Sequence, residues 1–144
     1  MTLRVKDIMT PDPVTIEPEA PLAAAIARMR ERQCRHLPVV DADGRLVGIV
    51  TDRDLRQASF ARLRALREAE QDLQVQSVMT WALVTIHPTA TIAHAARVMF
   101  ERRVGSLPVV EDGRLVGILT ERDLLRALME EYPELEPGPE AALW

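Results

Sequence analysis

Apolar residues along this chain of 144 residues fall into short β-branched runs and longer stretches of helical period, and the same succession occurs twice. Val14, Thr15 and Ile16, followed by Pro18, predict a short strand that stops at the proline. Pro21 opens a helix at its first position, in which Leu22, Ala25, Ile26 and Met29 recur at i, i+3, i+4 and i+7. The apolar runs LPVV (37–40) and RLVGIV (45–50), joined through Gly44, predict a hairpin, and a second helix follows from about Asp52. Val84, Thr85, Ile86 and Pro88 then repeat the strand, and Ile92, Ala95, Ala96 and Met99 repeat the helical stripe. LPVV (107–110) and RLVGIL (114–119) flank Asp112-Gly113, a hairpin signal because both turn positions must tolerate φ > 0. The last helix starts at about Glu121.

The two passes are a sequence repeat. Residues 5–40 align with residues 75–110 at an offset of 70 with 17 of 36 positions identical, and residues 44–55 align with 113–124 at 10 of 12. Each copy reads β-α-β-β-α. A unit of this size does not cover its own apolar face and finds its cover in its duplicate, so the joint between copies is the place to look for function. Residues 1–72 form the first copy with a helical connection, 73–131 the second, and 132–144 an extended or disordered tail, in which prolines and a glycine cluster. Leu55, Phe60, Leu63, Leu66 and Leu73 carry the first copy's last helix on past Ala65, and the absence of Gly or Pro between residues 49 and 87 predicts a stiff connection.

Composition narrows the class. With 47% hydrophobic and 28% charged residues, the chain reads as one globular unit of two subdomains. A formal charge of −4 argues against nucleic acid as a partner, and the cluster Arg62, Arg64 and Arg67 is followed at once by Glu68, Glu70 and Asp72. No stretch has the length of a membrane span and the start lacks the apolar run of a signal peptide, so no membrane is expected. The lone Cys34 fits a reducing, cytoplasmic setting and reads as a small buried hydrophobe more than as a nucleophile. His36, His87 and His94 share no metal-ligand spacing, so no metal site is expected. Trp81 reads as a packing or dimer-contact residue before a base-stacking one, and Met9 and Met79 as core or pocket wall. With no nucleophile elbow and no phosphate-binding loop, the chain reads as non-enzymatic.

One pattern carries chemistry: G-h-h-T-x-x-D, with h apolar, at Gly48, Thr51 and Asp54 and again at Gly117, Thr120 and Asp123. A hydroxyl residue followed three positions on by an acid marks a helix capping box. Two features point instead to a ligand. The acid is Asp both times, with a short arm for the reach back and two oxygens that suit a ribose diol. A helix start fed by a strand also favours phosphate, with Arg53, Arg56, Arg122 and Arg126 near it.

The order, spacing and duplication of VKDIMT, PVTIEPEAPL and RHLPVVDADGRLVGIVTDRDL, echoed by VQSVMT, LVTIHPTATI and GSLPVVEDGRLVGILTERDL, resemble a tandem pair of CBS domains, or Bateman module, over residues 5–130. The resemblance implies an α/β (α+β type) fold, two pseudo-twofold related subdomains with small mixed sheets packed on helices, and two clefts that bind adenosyl ligands: AMP, ADP, ATP or S-adenosylmethionine. It implies one cleft from Thr120, Asp123, Thr10, Val14, Cys34, Arg35, Gly105 and Ser106, and another from Thr51, Asp54, Thr80, Val84, Val104, Gly105, Arg35 and His36, with Arg53 and Arg122 nearby. The Asp would hold ribose hydroxyls and the Thr phosphate. Because Arg35-His36 becomes Gly105-Ser106 and Pro11 becomes Trp81, the clefts are expected to differ in affinity. The resulting expectation is a stand-alone regulatory module, a homodimer, that relays its ligand state to an effector protein. The alternative is a structural or dimerisation module with empty clefts whose T-x-x-D motifs only cap helices.

Overall fold

A computed structural model of the chain describes residues 2–64, 73–81 and 84–133. Its elements run α1 (Val5–Ile8), β1 (Thr10–Pro11), α2 (Leu22–Arg32), β2 (His36–Val40), β3 (Leu46–Thr51), α3 (Asp52–Arg64), a 3-10 turn (Val75–Ser77), α4 (Ile92–Arg102), β4 (Ser106–Glu111), β5 (Arg114–Thr120) and α5 (Glu121–Glu131). Pro21 lies at the N-cap of α2, one position earlier than its spacing suggested, while the equivalent Thr91 caps α4 by accepting from the His94 N–H. Both helices end on a left-handed residue, Gln33 or Arg103. The hairpin between β4 and β5 turns on Asp112 (φ 51°) and Gly113 (φ 77°), both in the left-handed region as the Asp-Gly pair predicted. The continuation of α3 past Ala65, and most of the tail, lie outside the described residues.

The named strands pair antiparallel: β2 with β3, and β1 with β5 with β4. The strand expected at Val14–Ile16 contracts to one parallel bridge, Ile16 to Val39, repeated as Ile86 to Val109. Pro18 follows the first segment and Pro88 its repeat, and neither has an N–H group to carry the ladder on. What remains is a pair of bonds, Ile16 N–H to the Pro38 carbonyl (3.1 Å) and Val40 N–H to the Ile16 carbonyl (3.0 Å).

The copies exchange their leading segments. Strand β1 precedes the first copy's helices yet joins the second copy's sheet, Thr10 opposite Ile118, and Thr80 in turn bridges Ile49 of the first copy's hairpin. The exchange is symmetric bond for bond. Val5 N–H donates to the Ala90 carbonyl and Val75 N–H to the Ala20 carbonyl, both at 2.8 Å, and Lys6 to Pro88 and Gln76 to Pro18 at 2.9 Å. The cores follow suit. Val75 and Met79 are buried with Ile16, Ala25, Leu37, Val39, Val50 and Leu55, while Val5 is buried with Ile86, Ala95, Leu107, Val109 and Leu119. Each core is thus closed by the other copy's first residues, which is how a repeat that cannot cover itself becomes stable. Among the described residues no helix is long and apolar enough to cross a membrane.

Candidate functional site: the strand-to-helix junctions

Each G-h-h-T-x-x-D motif spans the end of a strand and the first turn of a helix. Thr51 and Thr120 are the last strand residues, and Asp54 and Asp123 stand at the third helical position. Both capping boxes are closed. Asp54 N–H donates to Thr51 Oγ1 (3.1 Å) and Thr51 N–H to Asp54 Oδ2 (3.0 Å). In the second copy Asp123 N–H donates to Thr120 Oγ1 (3.3 Å) and Thr120 N–H to Asp123 Oδ2 (2.9 Å). The short aspartate arm therefore does reach back, contrary to the expectation drawn from its length, because the strand delivers Thr51 and Thr120 in extended backbone directly over the helix start. These bonds engage Oδ2, and Asp123 Oδ1 faces Arg126 Nη1 at 4.0 Å. A carboxylate has about four acceptor sites, so capping and ligand contact are compatible. Asp123 is held at 7% exposure.

The glycines of the motif have a steric role that the sequence reading left open. A Cβ on Gly48 would lie 2.6 Å from Met79 Sδ and 2.9 Å from the Thr80 carbonyl oxygen. On Gly117 it would lie 2.5 Å from Met9 Sδ and 3.0 Å from the Thr10 carbonyl oxygen. Glycine is required so that the exchanged segment can cross the strand at contact distance. The available signal was a buried glycine repeated mid-strand without a turn.

The crossing assembles a mixed set of residues at each junction. Around α5, Thr10 from the first copy sits across from Ile118, and Ser106 pairs with Thr120. Around α3, Thr80 from the second copy sits across from Ile49, and His36 pairs with Thr51. The carbonyls of Arg35 and Gly105 accept the first helical N–H groups, from Asp52 (2.9 Å) and Glu121 (3.1 Å), which fixes both residues against the helix starts. Val14 and Cys34 pack against the first core, and Val84 and Val104 against the second. All four thus pack within the copy they belong to, and the described contacts do not carry Val14 or Cys34 to Thr120, or Val84 or Val104 to Thr51. Arg53 and Arg122 are exposed at the second helical positions.

The junctions differ electrostatically. The ring of His36 lies beside Gly105 and the Glu121 carboxyl group, each near where a Gly105 Cβ would stand (3.6 and 3.7 Å). Its Nδ1 is buried without a hydrogen-bond partner. Burial lowers the pKa of His36, against the opposing pull of Asp52 and Glu121. Asp52 and Glu121, absent from the sequence-based site, thereby join it. At the equivalent position Ser106 has no titratable group. Burial raises the pKa of Cys34, which holds it as a thiol and fits a packing role. Among the described residues no three of His, Cys, Asp and Glu are grouped to hold a metal ion, and Trp81 is solvent-exposed.

The CBS domain family model matches residues 5–61 and 75–130. A CBS domain-containing protein of Dictyostelium discoideum is 37% identical over 147 aligned positions, covering 96% of this chain and 98% of that one. The solved CBS domain pair of protein MJ0100 in complex with 5′-methylthioadenosine and S-adenosyl-L-methionine superposes with a TM-score of 0.81 at 30% identity, over 91% of this chain and 99% of that one. CBSX2 in complex with AMP superposes at 0.76 and 32% identity, over 89% and 97%. With its duplicated motif, its exchanged segments and these likenesses, the chain belongs to the CBS domain family as a tandem pair.

Proposed function

We propose that this chain is a non-enzymatic regulatory module that binds an adenosyl ligand, AMP, ADP, ATP or S-adenosylmethionine, at the strand-to-helix junctions and relays its ligand state to a partner protein. The observation that supports this most is the exchange of leading segments. It sets Thr10 across from Ile118, two residues before Thr120, and Thr80 across from Ile49, two residues before Thr51, which supports a reading in which each cleft draws on both copies. A ligand held there contacts both copies at once and stabilises one relative placement of them, which is the requirement for passing a signal through a coupling of typically about 1–3 kcal/mol. The chemistry suits a nucleoside. The aspartates offer anionic acceptors to a ribose diol, and Arg53 and Arg122, exposed at the second helical positions, offer cations to a phosphate or carboxylate. The adenosyl compounds in the two solved relatives support the ligand class.

The clefts have unequal affinity in this reading. The α3 junction presents the orphaned Nδ1 of His36, where the α5 junction presents a serine. The module acts as a homodimer, with a cytoplasmic location and an effector protein as its downstream partner.

A thermal-shift panel of AMP, ADP, ATP, S-adenosylmethionine and guanine nucleotides tests this function. At about 100 times Kd, an adenosyl ligand adds about 2.7 kcal/mol of stability and raises the melting temperature. Unchanged melting with every adenosyl ligand at millimolar concentration would leave the T-x-x-D motifs as helix caps alone.

A further inference from the structure

His36 belongs to one junction and reaches the other. In the first copy's hairpin it lies directly opposite Thr51, the last strand residue before α3, and side chains so paired have Cβ atoms about 4.5–5.5 Å apart. Its ring also meets the second copy: Cε1 lies 3.6 Å from where a Gly105 Cβ would stand, and the Glu121 carboxyl carbon lies 3.7 Å from the same point. Glu121 opens α5, so the imidazole bridges the two helix starts. The charged groups acting on it are Asp52 and Asp54 of α3, Glu121 of α5, and Arg35 beside it in the chain. Its Nδ1 is buried and has no hydrogen-bond partner. No bond at Nδ1 therefore fixes the ring in one protonation state, and burial weighed against those charges decides it. Burial prevails in the chain alone and keeps the ring neutral at pH 7. In the second hairpin the same place, opposite Thr120, is held by Ser106, which has no titratable group.

We infer that His36 makes nucleotide binding at the α3 junction proton-linked: an anionic ligand group held at Thr51 draws a proton from solvent onto the His36 ring, and this junction binds more tightly as pH falls. The inference rests on the nucleotide binding proposed above and assigns a regulation to one of its two sites. A negative charge brought beside a partly buried imidazole favours the imidazolium. The occupied chain then holds more protons than the empty one over the pH range between its two His36 midpoints. By linkage, affinity rises as pH falls through that range, by at most about tenfold per pH unit, and is flat outside it. An uncharged ligand such as adenosine brings no such charge and draws no proton. The imidazolium formed at an occupied α3 junction faces the Glu121 carboxylate at the start of α5, so the change is felt in the other copy.

Calorimetric titration of AMP at pH 6.5, in buffers of different ionisation enthalpy, counts the protons taken up on binding. The parent is expected to take up more than His36→Gln, by up to about one proton per chain. The phosphate's own titration, with a second pKa of about 6, enters both measurements alike and drops out of the difference. Adenosine is expected to give no difference between the two proteins. His87→Gln/His94→Gln leaves His36 as the chain's only histidine, so its imidazole NMR resonance is read without replacing it. That resonance is expected to titrate at higher pH with AMP than without. Equal proton uptake by the parent and His36→Gln, or, where His36→Gln does not fold or bind, an imidazole midpoint that AMP leaves unmoved, would overturn the linkage and keep the nucleotide binding. A parent that gives no binding heat with AMP and no shift of the His36 midpoint would overturn the binding reading and the linkage with it.

Discussion

Replacing Gly48 by alanine tests whether the exchange of leading segments holds this fold together. The added methyl would stand 2.9 Å from the Thr80 carbonyl oxygen, and 2.6 Å from the sulfur of Met79, a side chain buried in the first core. Met79 can turn aside only by disturbing that core, and Thr80 is tied to Ile49 by two backbone bonds, of 3.1 and 2.9 Å. Overpacking of a filled core costs about 1–3 kcal/mol. Loss of the two bonds adds about 0.5–1.5 kcal/mol each. The lower chain entropy of alanine in the unfolded state offsets about 0.4–1 kcal/mol. The expected net loss is about 1–6 kcal/mol, read by urea unfolding monitored by circular dichroism at one fixed protein concentration. Gly44→Ala is the control: nothing lies within 4 Å of its would-be Cβ, so only its φ of +78° resists, at about 1–2 kcal/mol. If Gly48→Ala unfolds within about 0.5 kcal/mol of the parent, the exchanged segment is not pressed on the strand and the cleft architecture argued from it fails.

Further outcomes follow from the same contacts. Asp54→Ala and Asp123→Ala each open a capping box and are expected to lower stability by about 0.5–2 kcal/mol in the same unfolding assay. Leu107→Ala, at a fully buried position of the second core, is expected to cost about 2–5 kcal/mol in thermal unfolding. His36 has a folded pKa below its ordinary 6.5 through burial, opposed by Asp52, Glu121 and Asp54 and assisted by Arg35. Its neutral form is the one the fold prefers, so its contribution is present above about pH 6.5 and is lost as pH falls toward the lowered folded value. His36→Gln should flatten that part of the stability–pH curve, and an unchanged slope would refute it.

The hairpins, helices and T-x-x-D junctions were legible because each is a local pattern written twice. Asp112-Gly113 specifies its own turn, and of the stripe Ile92, Ala95, Ala96 and Met99 the structure buries Ala95 and Met99, half-buries Ile92 and leaves Ala96 exposed. The exchange was legible only through the family resemblance, which set Thr10 with Thr120 and Thr80 with Thr51; nothing within VKDIMT or VQSVMT itself says which copy Val5 or Val75 will cover. That choice is made by tertiary contact, and its trace in the sequence is indirect: a glycine kept mid-strand at 48 and 117 where a β-branched residue would otherwise belong. The strand at Val14–Ile16, read as short and stopped by Pro18, was still overstated: only Ile16 pairs, in one bridge to Val39. The reach of aspartate was understated because length was judged without the strand that presents Thr51 and Thr120. Asp52 and Glu121 carry no motif and become visible only through their position around His36.

The central claim, that adenosyl ligands bind at the aspartates of the strand-to-helix junctions, is tested most directly by calorimetric titration of AMP and S-adenosylmethionine into the parent, Asp54→Asn and Asp123→Asn. Asparagine is tolerated at a helix start but cannot offer two anionic acceptors to a diol, so both variants should remain folded. Loss of charge-assisted hydrogen bonds worth about 1.5–3 kcal/mol predicts at least ~10-fold weaker binding for one or both. Binding by both variants with the parent's affinity, or none by the parent at millimolar ligand, would contradict the account.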